Sequence, residues 1–313
     1  MQKGIVYRST GSWYDIKLNN GAFIKARIKG KFRNLSIRTT NPVAVGDEVS
    51  VDINDLGEGV IKEISPRKNY IIRKSVNLSK EAHIIASNVD LAVLLVTVVS
   101  PFTAPGFIDR FTVTAEAYNV PLLIVFNKID LYDEKAMAIL SEYEQSYKKA
   151  NYSTLNTSLV NQTGINEFKE IIEGKTVLLS GNSGAGKSTL INELKPDLKL
   201  KTGTISKSHQ TGKHTTTFAE MFDLSLTTQI IDTPGIKGFG LVDFEKEELA
   251  RYFPEMLELL GDCKFHNCRH LNEPGCKVLE KLKEGSFSST RHNSYVTMYN
   301  EDEDVNYRQN IHL

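Results

Sequence analysis

The spacing of hydrophobic positions changes twice along the chain. Up to about residue 66 the apolar residues fall in short, alternating or β-rich runs: Gly4 to Tyr7, Trp13 to Leu18, Ala22 to Ile28 and Glu48 to Ile53. Period two marks strands with one buried face. Asn20-Gly21 is a hairpin-type turn, and Gly46-Asp47 and Gly57 punctuate later joins. About five short strands in so few residues predict a small closed barrel of the OB type; an SH3-like barrel would give the same pattern. Ser65 to Lys68 reads as a linker. From about 68 to 240, apolar strands alternate with helical stretches. Strands are predicted at 89–99, 121–126, 152–155, 176–180, 217–224 and 228–231, and helices near 107–118, 133–150, 165–173 and 187–194. That alternation predicts an α/β layered domain. After 241 the chain reads as helical, with the cysteine cluster inserted. The expected division is therefore 1–66, 67–240 and 241–313, and Tyr299 to Asp304 form an acidic tail.

Composition narrows this picture. A chain of 313 residues can bury several cores. Met1 to Arg8 holds no apolar stretch of signal-peptide length, and Leu91 to Val99 is too short to span a bilayer. A cytoplasmic location with no membrane association is expected. Net charge is zero, yet residues 1–80 carry 15 Lys and Arg against 7 Asp and Glu, a net of +8. A basic N-terminal third fits a polyanionic partner such as RNA. Lys25, Arg27, Lys29, Lys31 and Arg33 would share one face of a strand, with Phe23, Phe32 and Trp13 nearby.

The sharpest chemistry lies at Gly181, Asn182, Ser183, Gly184, Ala185, Gly186, Lys187 and Ser188, which match G-x-x-x-x-G-K-[ST] between a predicted strand and a predicted helix that opens with Thr189. Backbone N–H groups of such a loop turn inward around phosphates, Lys187 reaches the β- and γ-phosphates, and the Ser188 hydroxyl binds Mg²⁺. Asn127, Lys128 and Asp130 form N-K-x-D at a strand end. A carboxylate accepts hydrogen bonds from guanine N1–H and N2–H₂ together, a pair that adenine lacks. The Lys128 stem can cover the ring face. Asp232-Thr233-Pro234-Gly235 suits the water-mediated side of the Mg²⁺ site and γ-phosphate sensing. Between them, Thr215 or Thr216 would complete the metal shell in the GTP state. Together these predict GTP binding and hydrolysis to GDP and phosphate.

All three cysteines lie between 263 and 276. An odd, clustered set argues for a metal in a reducing compartment. Cys263, Cys268 and Cys276 with one imidazole, His266 or His270, can close a tetrahedral structural Zn²⁺ site.

The motif order is unusual. Ras-like GTPases run P-loop, switch threonine, D-x-x-G, then N-K-x-D; here N-K-x-D comes first, so the chain resembles a circularly permuted GTPase. Asn156-Thr157-Ser158 would be its fifth motif. With Ala26 to Arg33, Asn88-Val89-Asp90, His214-Thr215-Thr216-Thr217 and the cysteine cluster, nearly the whole chain resembles the RsgA family of small ribosomal subunit biogenesis GTPases. The resemblance implies an OB-fold, a permuted GTPase domain and a C-terminal zinc domain with His270 as fourth ligand. It also implies binding to the small subunit and its rRNA late in maturation, and subunit-stimulated hydrolysis. Ile236 stands where many Ras-like enzymes place a water-orienting Gln, so intrinsic turnover should be slow, and His214 is the candidate catalytic substitute. The other reading is a nucleotide-gated RNA-binding module in which hydrolysis is incidental. A monomer is expected. Because the second switch ends the permuted domain, γ-phosphate sensing should pull on whatever follows residue 235.

Overall fold

The computed structural model describes residues 1–28, 42–55, 57–74, 82–201, 219–233 and 245–301. The N-terminal strands are β1 (Gln2–Ser9), β2 (Tyr14–Leu18), β3 (Phe23–Ile28), β4 (Glu48–Ile53) and β5 (Gly59–Ile64). They join in the order β1-β2-β3-β5-β4, and β4 returns to pair with β1. The β3–β5 pairing is parallel and the others are antiparallel. This closed five-stranded path is the OB arrangement. Alternation works as the sequence predicts: Tyr14, Ile16 and Leu18 of β2 point inward onto Val6, Ala26, Val51 and Ile61.

Residues 65–74 and 82–88 do more than link the two units. Arg67 forms an ion pair with the buried Asp47, donating at 2.6 Å to each carboxylate oxygen. Two further strands, β6 (Tyr70–Lys74) and β7 (Ala82–Ser87), pair antiparallel. Both are short and hold adjacent apolar residues rather than clean alternation, so period two does not reveal them. Ile71 and Ala86 pack with Val45 of the barrel side against the core of the next unit.

That unit contains β8 (Leu91–Val96), α1 (Pro105–Ala117), β9 (Leu122–Asn127), α2 (Glu134–Lys149), β10 (Ser153–Thr157), α3 (Ile165–Ile172), β11 (Thr176–Gly181), α4 (Lys187–Leu194), β12 (Glu220–Asp223) and β13 (Gln229–Asp232). Its strands lie in the order β10-β9-β8-β11-β13-β12, parallel except for β12. β8 is buried at every position, as expected of a strand covered on both faces. One apolar layer joins Ala92, Leu94 and Val96 to α1 and α2; the other joins Val93 and Leu95 to α3 and α4. The strand carrying N-K-x-D and the strand carrying the P-loop flank β8, so both motifs leave the same C-terminal sheet edge, where α/β folds bind ligands. The sheet continues through β12 into β1 at Arg8↔Glu220.

The C-terminal unit is helical with the cysteine segment inserted, as the sequence predicts. A 3₁₀ turn (Lys246–Tyr252) leads to α5 (Pro254–Leu257), α6 (Lys277–Lys283) and α7 (Ser289–Asn300), while 258–276 winds irregularly around the cysteines. Converging side chains from four positions of one short segment is incompatible with a continuous helix. Phe253, Met256, Val278, Phe287, Tyr295 and Met298 make its core and pack on Val113 of α1. Among the described residues no helix is long and apolar enough to cross a membrane.

Candidate nucleotide and metal sites

The P-loop is shaped by its glycines. Gly181 has φ +143°, and an added Cβ would meet the Leu95 carbonyl oxygen at 2.4 Å. Gly186 has φ +108°, and its Cβ would meet Asn127 Nδ2 at 2.5 Å. Only glycine allows both the conformation and the approach. Gly186 then opens α4, placing Lys187 and Ser188 in its first turn. Lys187 is buried, and its Nζ donates to the Gly181 and Asn182 carbonyls at 2.8 and 3.1 Å. Burial pulls this ammonium down to about 8, against the attraction of the Asp232 carboxylate. A buried cation at a helix N-terminus is matched to an anion such as phosphate.

The guanine motif is built around the same loop. Asn127, the last residue of β9, donates from Nδ2 to the Ala185 carbonyl at 2.9 Å and accepts from Thr157 Oγ1 at 3.0 Å. Lys128 adopts a left-handed φ of 63° and reaches the Gly184 carbonyl at 2.7 Å. The Asp130 carboxylate is exposed, and one of its oxygens accepts from the Ser158 hydroxyl. Asn156-Thr157-Ser158 therefore meets the N-K-x-D motif through two side chains, although Thr and Ser replace the usual pair. Asp232 ends β13 as a buried carboxylate, and Thr233 donates to the Leu179 carbonyl at 2.9 Å. Thr189 is exposed one residue beyond Ser188. His214, Thr215, Thr216 and Gly235, like Lys29, Lys31, Phe32, Arg33 and Ile236, lie outside the described residues.

In the C-terminal unit, one ligand atom each from Cys263, Cys268, His270 and Cys276 lies within 4.8 Å of the others. Cys263 Sγ stands 4.0 Å from Cys276 Sγ, and His270 Nδ1 stands 3.6 and 3.4 Å from those sulfurs. A tetrahedral ion with Zn–S bonds of about 2.3 Å requires S···S edges of about 3.8 Å, so the donors fit zinc. His270 reaches the centre from a left-handed backbone, φ 58°, and His292 Nε2 donates to its carbonyl at 2.8 Å. His266 is exposed and outside the group. Burial pushes the Cys268 thiol up to about 12 and raises Cys276, so both ionise only beside a cation.

The family model described as the RsgA GTPase matches residues 64–242, and the RsgA N-terminal domain model matches 3–61. The chain belongs to the RsgA GTPase family. It is a GTP hydrolase of that family, built as an OB-like barrel, a circularly permuted GTPase domain and a C-terminal unit with a Cys₃His group. A protein named small ribosomal subunit biogenesis GTPase RsgA from Christiangramia forsetii is 52% identical over 98% of both chains. The Flavobacterium psychrophilum protein of the same name is 51% identical, covering 99% of this chain and 95% of its own. Among solved structures, YjeQ from Thermotoga maritima shares 32% identity at a TM-score of 0.73, covering 95% of this chain and 97% of that one. YloQ, described as a circularly permuted GTPase, shares 27% at 0.70, covering 96% and 94%.

The structure adds what the RsgA motifs do not state. On β3, Phe23, Lys25 and Arg27 all face outward while Ala26 is buried. Phe23 is 59% exposed, so this ring is surface and not core. Arg27 lies 4.3 Å over the Trp13 ring. Arg291, which no motif marks, is fully buried between Asp109 and Glu255.

Proposed function

We propose that this chain binds GTP through Gly181 to Thr189, Asn127, Lys128 and Asp130, and acts on the small ribosomal subunit late in its maturation. For this purpose it divides at 1–66, 67–240 and 241–313. The observation that carries the nucleotide assignment is Asn127, which links the P-loop at Ala185 to Thr157, while Ser158 holds Asp130 beside them. Asp130 would read the guanine edge, and the Lys128 stem would lie along the base. Lys187 would hold the β- and γ-phosphates. Ser188 and Asp232, with Thr215 or Thr216, would hold Mg²⁺, whose charge offsets that of the phosphates. Gly235 would sense the γ-phosphate. Ile236 has no polar group to orient water, so turnover would be slow until the subunit brings His214 to bear on that water.

The Cys₃His group would hold one Zn²⁺, with no open position for chemistry, and so serve structure. The exposed row Phe23, Lys25, Arg27 supplies a stacking ring and cations for rRNA. The names of the relatives support the small subunit as partner, and such a partner is consistent with a cytoplasmic location. It would act there as a monomer.

The test is GTP hydrolysis measured alone, with small subunits and with large subunits. Many-fold stimulation by small subunits alone is expected. Tight nucleotide-dependent binding to small subunits with no stimulation would favour the gated module instead. His214→Ala should abolish the stimulation and leave nucleotide affinity unchanged.

A further inference from the structure

Tyr132 stands two residues after Asp130, and its hydroxyl joins two chain segments. It donates to the Asn127 carbonyl at 2.8 Å and accepts the Val98 N–H at 3.0 Å. β8 and β9 run parallel in register as far as Val96↔Phe126. Beyond that pair the phenol oxygen takes the N–H of one chain and gives its proton to the C=O of the other, acting as one more rung. Val98 is buried, so its N–H depends on such a partner. Burial pushes the Tyr132 phenol up to about 12, which keeps its proton in place and lets it both donate and accept.

The segment held this way, 97–104, touches both halves of the nucleotide site. Lys128 Nζ donates to the Ser100 carbonyl at 2.9 Å as well as to Gly184. Thr103 Oγ1 accepts from Thr97 N at 3.3 Å and from Asn182 Nδ2 at 3.4 Å. The segment therefore lies between the N-K-x-D turn and the P-loop, as β8 lies between β9 and β11. Within that turn, Lys128 is held in a left-handed conformation that an L-residue rarely adopts and that persists only under tertiary restraint.

We propose that Tyr132 is a positioning residue for guanine recognition: its hydroxyl locks the Asn127–Asp130 turn to segment 97–104 and so sets how firmly Asp130 is presented to the base. The inference rests on Asp130 reading guanine. Hypoxanthine lacks the 2-amino group, so Asp130 has two donors on GDP and one on IDP. Loosening Asp130 must therefore weaken GDP more than IDP, whereas a general loss of fold weakens both alike.

The experiment measures Kd for GDP, IDP and ADP, together with Tm, on the full wild-type chain and on Tyr132→Phe, which removes one oxygen and no ring atom. The expected result is a rise of about 5- to 30-fold in Kd for GDP, with a smaller rise for IDP. A lower Tm with both affinities unchanged, or equal weakening of GDP and IDP, would overturn the proposal. Should Tyr132→Phe fold poorly, a ring-fluorinated tyrosine at 132 keeps both ring and hydroxyl and ionises at lower pH. GDP affinity should then fall with rising pH relative to wild type, and a flat ratio would overturn the proposal. A wild-type chain that holds ADP as well as GDP would overturn the guanine assignment itself, and this inference with it.

Discussion

Arg291→Met tests how the C-terminal unit is attached. Arg291 of α7 has no exposed side-chain surface. Its Nη1 donates to Asp109 of α1 at 2.7 Å and to Thr112 at 3.3 Å, and its Nη2 and Nε engage both carboxylate oxygens of Glu255 on α5. The guanidinium also faces the rings of Phe253, Tyr152 and Tyr147 at 4.9, 5.4 and 5.6 Å. Methionine is apolar and long enough to follow much of the same path, so what is chiefly lost is charge. Removing one member of a buried ion pair costs about 3–5 kcal/mol, because the remaining carboxylate is left uncompensated. The lost ring contacts add about 0.5–2 kcal/mol. Burial already raises the Asp109 pKa against the pull of Arg291, and without Arg291 it must rise further. An acid whose folded pKa exceeds its unfolded value of about 3.9 binds its proton more tightly when folded, so stability is lost as pH climbs toward the folded pKa. Urea unfolding of the variant should therefore show a deficit of about 4 kcal/mol at pH 8 and a smaller one at pH 5. Arg291→Met/Asp109→Asn/Glu255→Gln, which removes all three charges, should recover most of the loss. A deficit below about 1 kcal/mol in the single variant, or one independent of pH and equal in the triple variant, would refute this reasoning.

Three further outcomes follow from the sites. Asp223→Asn removes the charge and one of the two carboxylate oxygens that Tyr7 and Lys17 of the barrel reach at 2.7 and 2.6 Å; the groups are partly exposed, so the cost by thermal unfolding should be only about 1 kcal/mol. Because burial pulls Lys187 down to about 8, GTP binding must take up a proton above that pH, and affinity measured by titration should fall as pH rises over roughly one and a half units above it. Cys276→Ser should lower bound zinc from one equivalent to a small fraction by metal analysis, and expose the C-terminal unit to protease while the nucleotide site still binds GDP.

The nucleotide site was readable because each motif is contiguous: glycine spacing, the following Lys-Ser and the N-K-x-D carboxylate all act within eight residues or fewer. The barrel was readable through alternation, but its strand order was not, since OB and SH3-like barrels share that pattern and the strand pairings, the parallel β3–β5 and the closing β1–β4, separate them. Ser158 left a weak trace, because its contact with Asp130 spans 28 positions. Tyr132 and segment 97–104 left none, as nothing local marks a tyrosine that binds two backbones. Arg291 sits in a polar helix without an apolar stripe, so its burial follows from the Asp109 and Glu255 that meet it and not from its own neighbours. Between His266 and His270, spacing could not choose; the left-handed turn at His270 does.

The two outer units are attached in physically different ways, and both attachments adjoin the nucleotide site. The barrel joins at β12, the strand that directly follows the stretch containing His214. The strand pairing there is one register pair, Arg8↔Glu220, in a row where Lys25, Asp15, Arg8 and Glu220 alternate in charge across four strands. A cavity of about 480 Å³ lies beside it. The charged row is only part of the attachment, since Tyr7 and Val45 are buried in the core of the central unit and Asp47 accepts from Ser87 at 2.6 Å. The C-terminal unit follows β13 and Asp232 in the chain, yet it is fixed to α1 by a buried guanidinium whose exposure would leave Asp109 unpaired in the core. A pull arising after Asp232 therefore cannot move the Cys₃His unit alone. It must move that unit together with α1, whose preceding segment carries Ser100 and Thr103 into the nucleotide site. A pull passed on by the second switch would thus act on a body made of α1 and the C-terminal unit, while the barrel is held to the central unit both at β12 and through the buried Tyr7 and Val45.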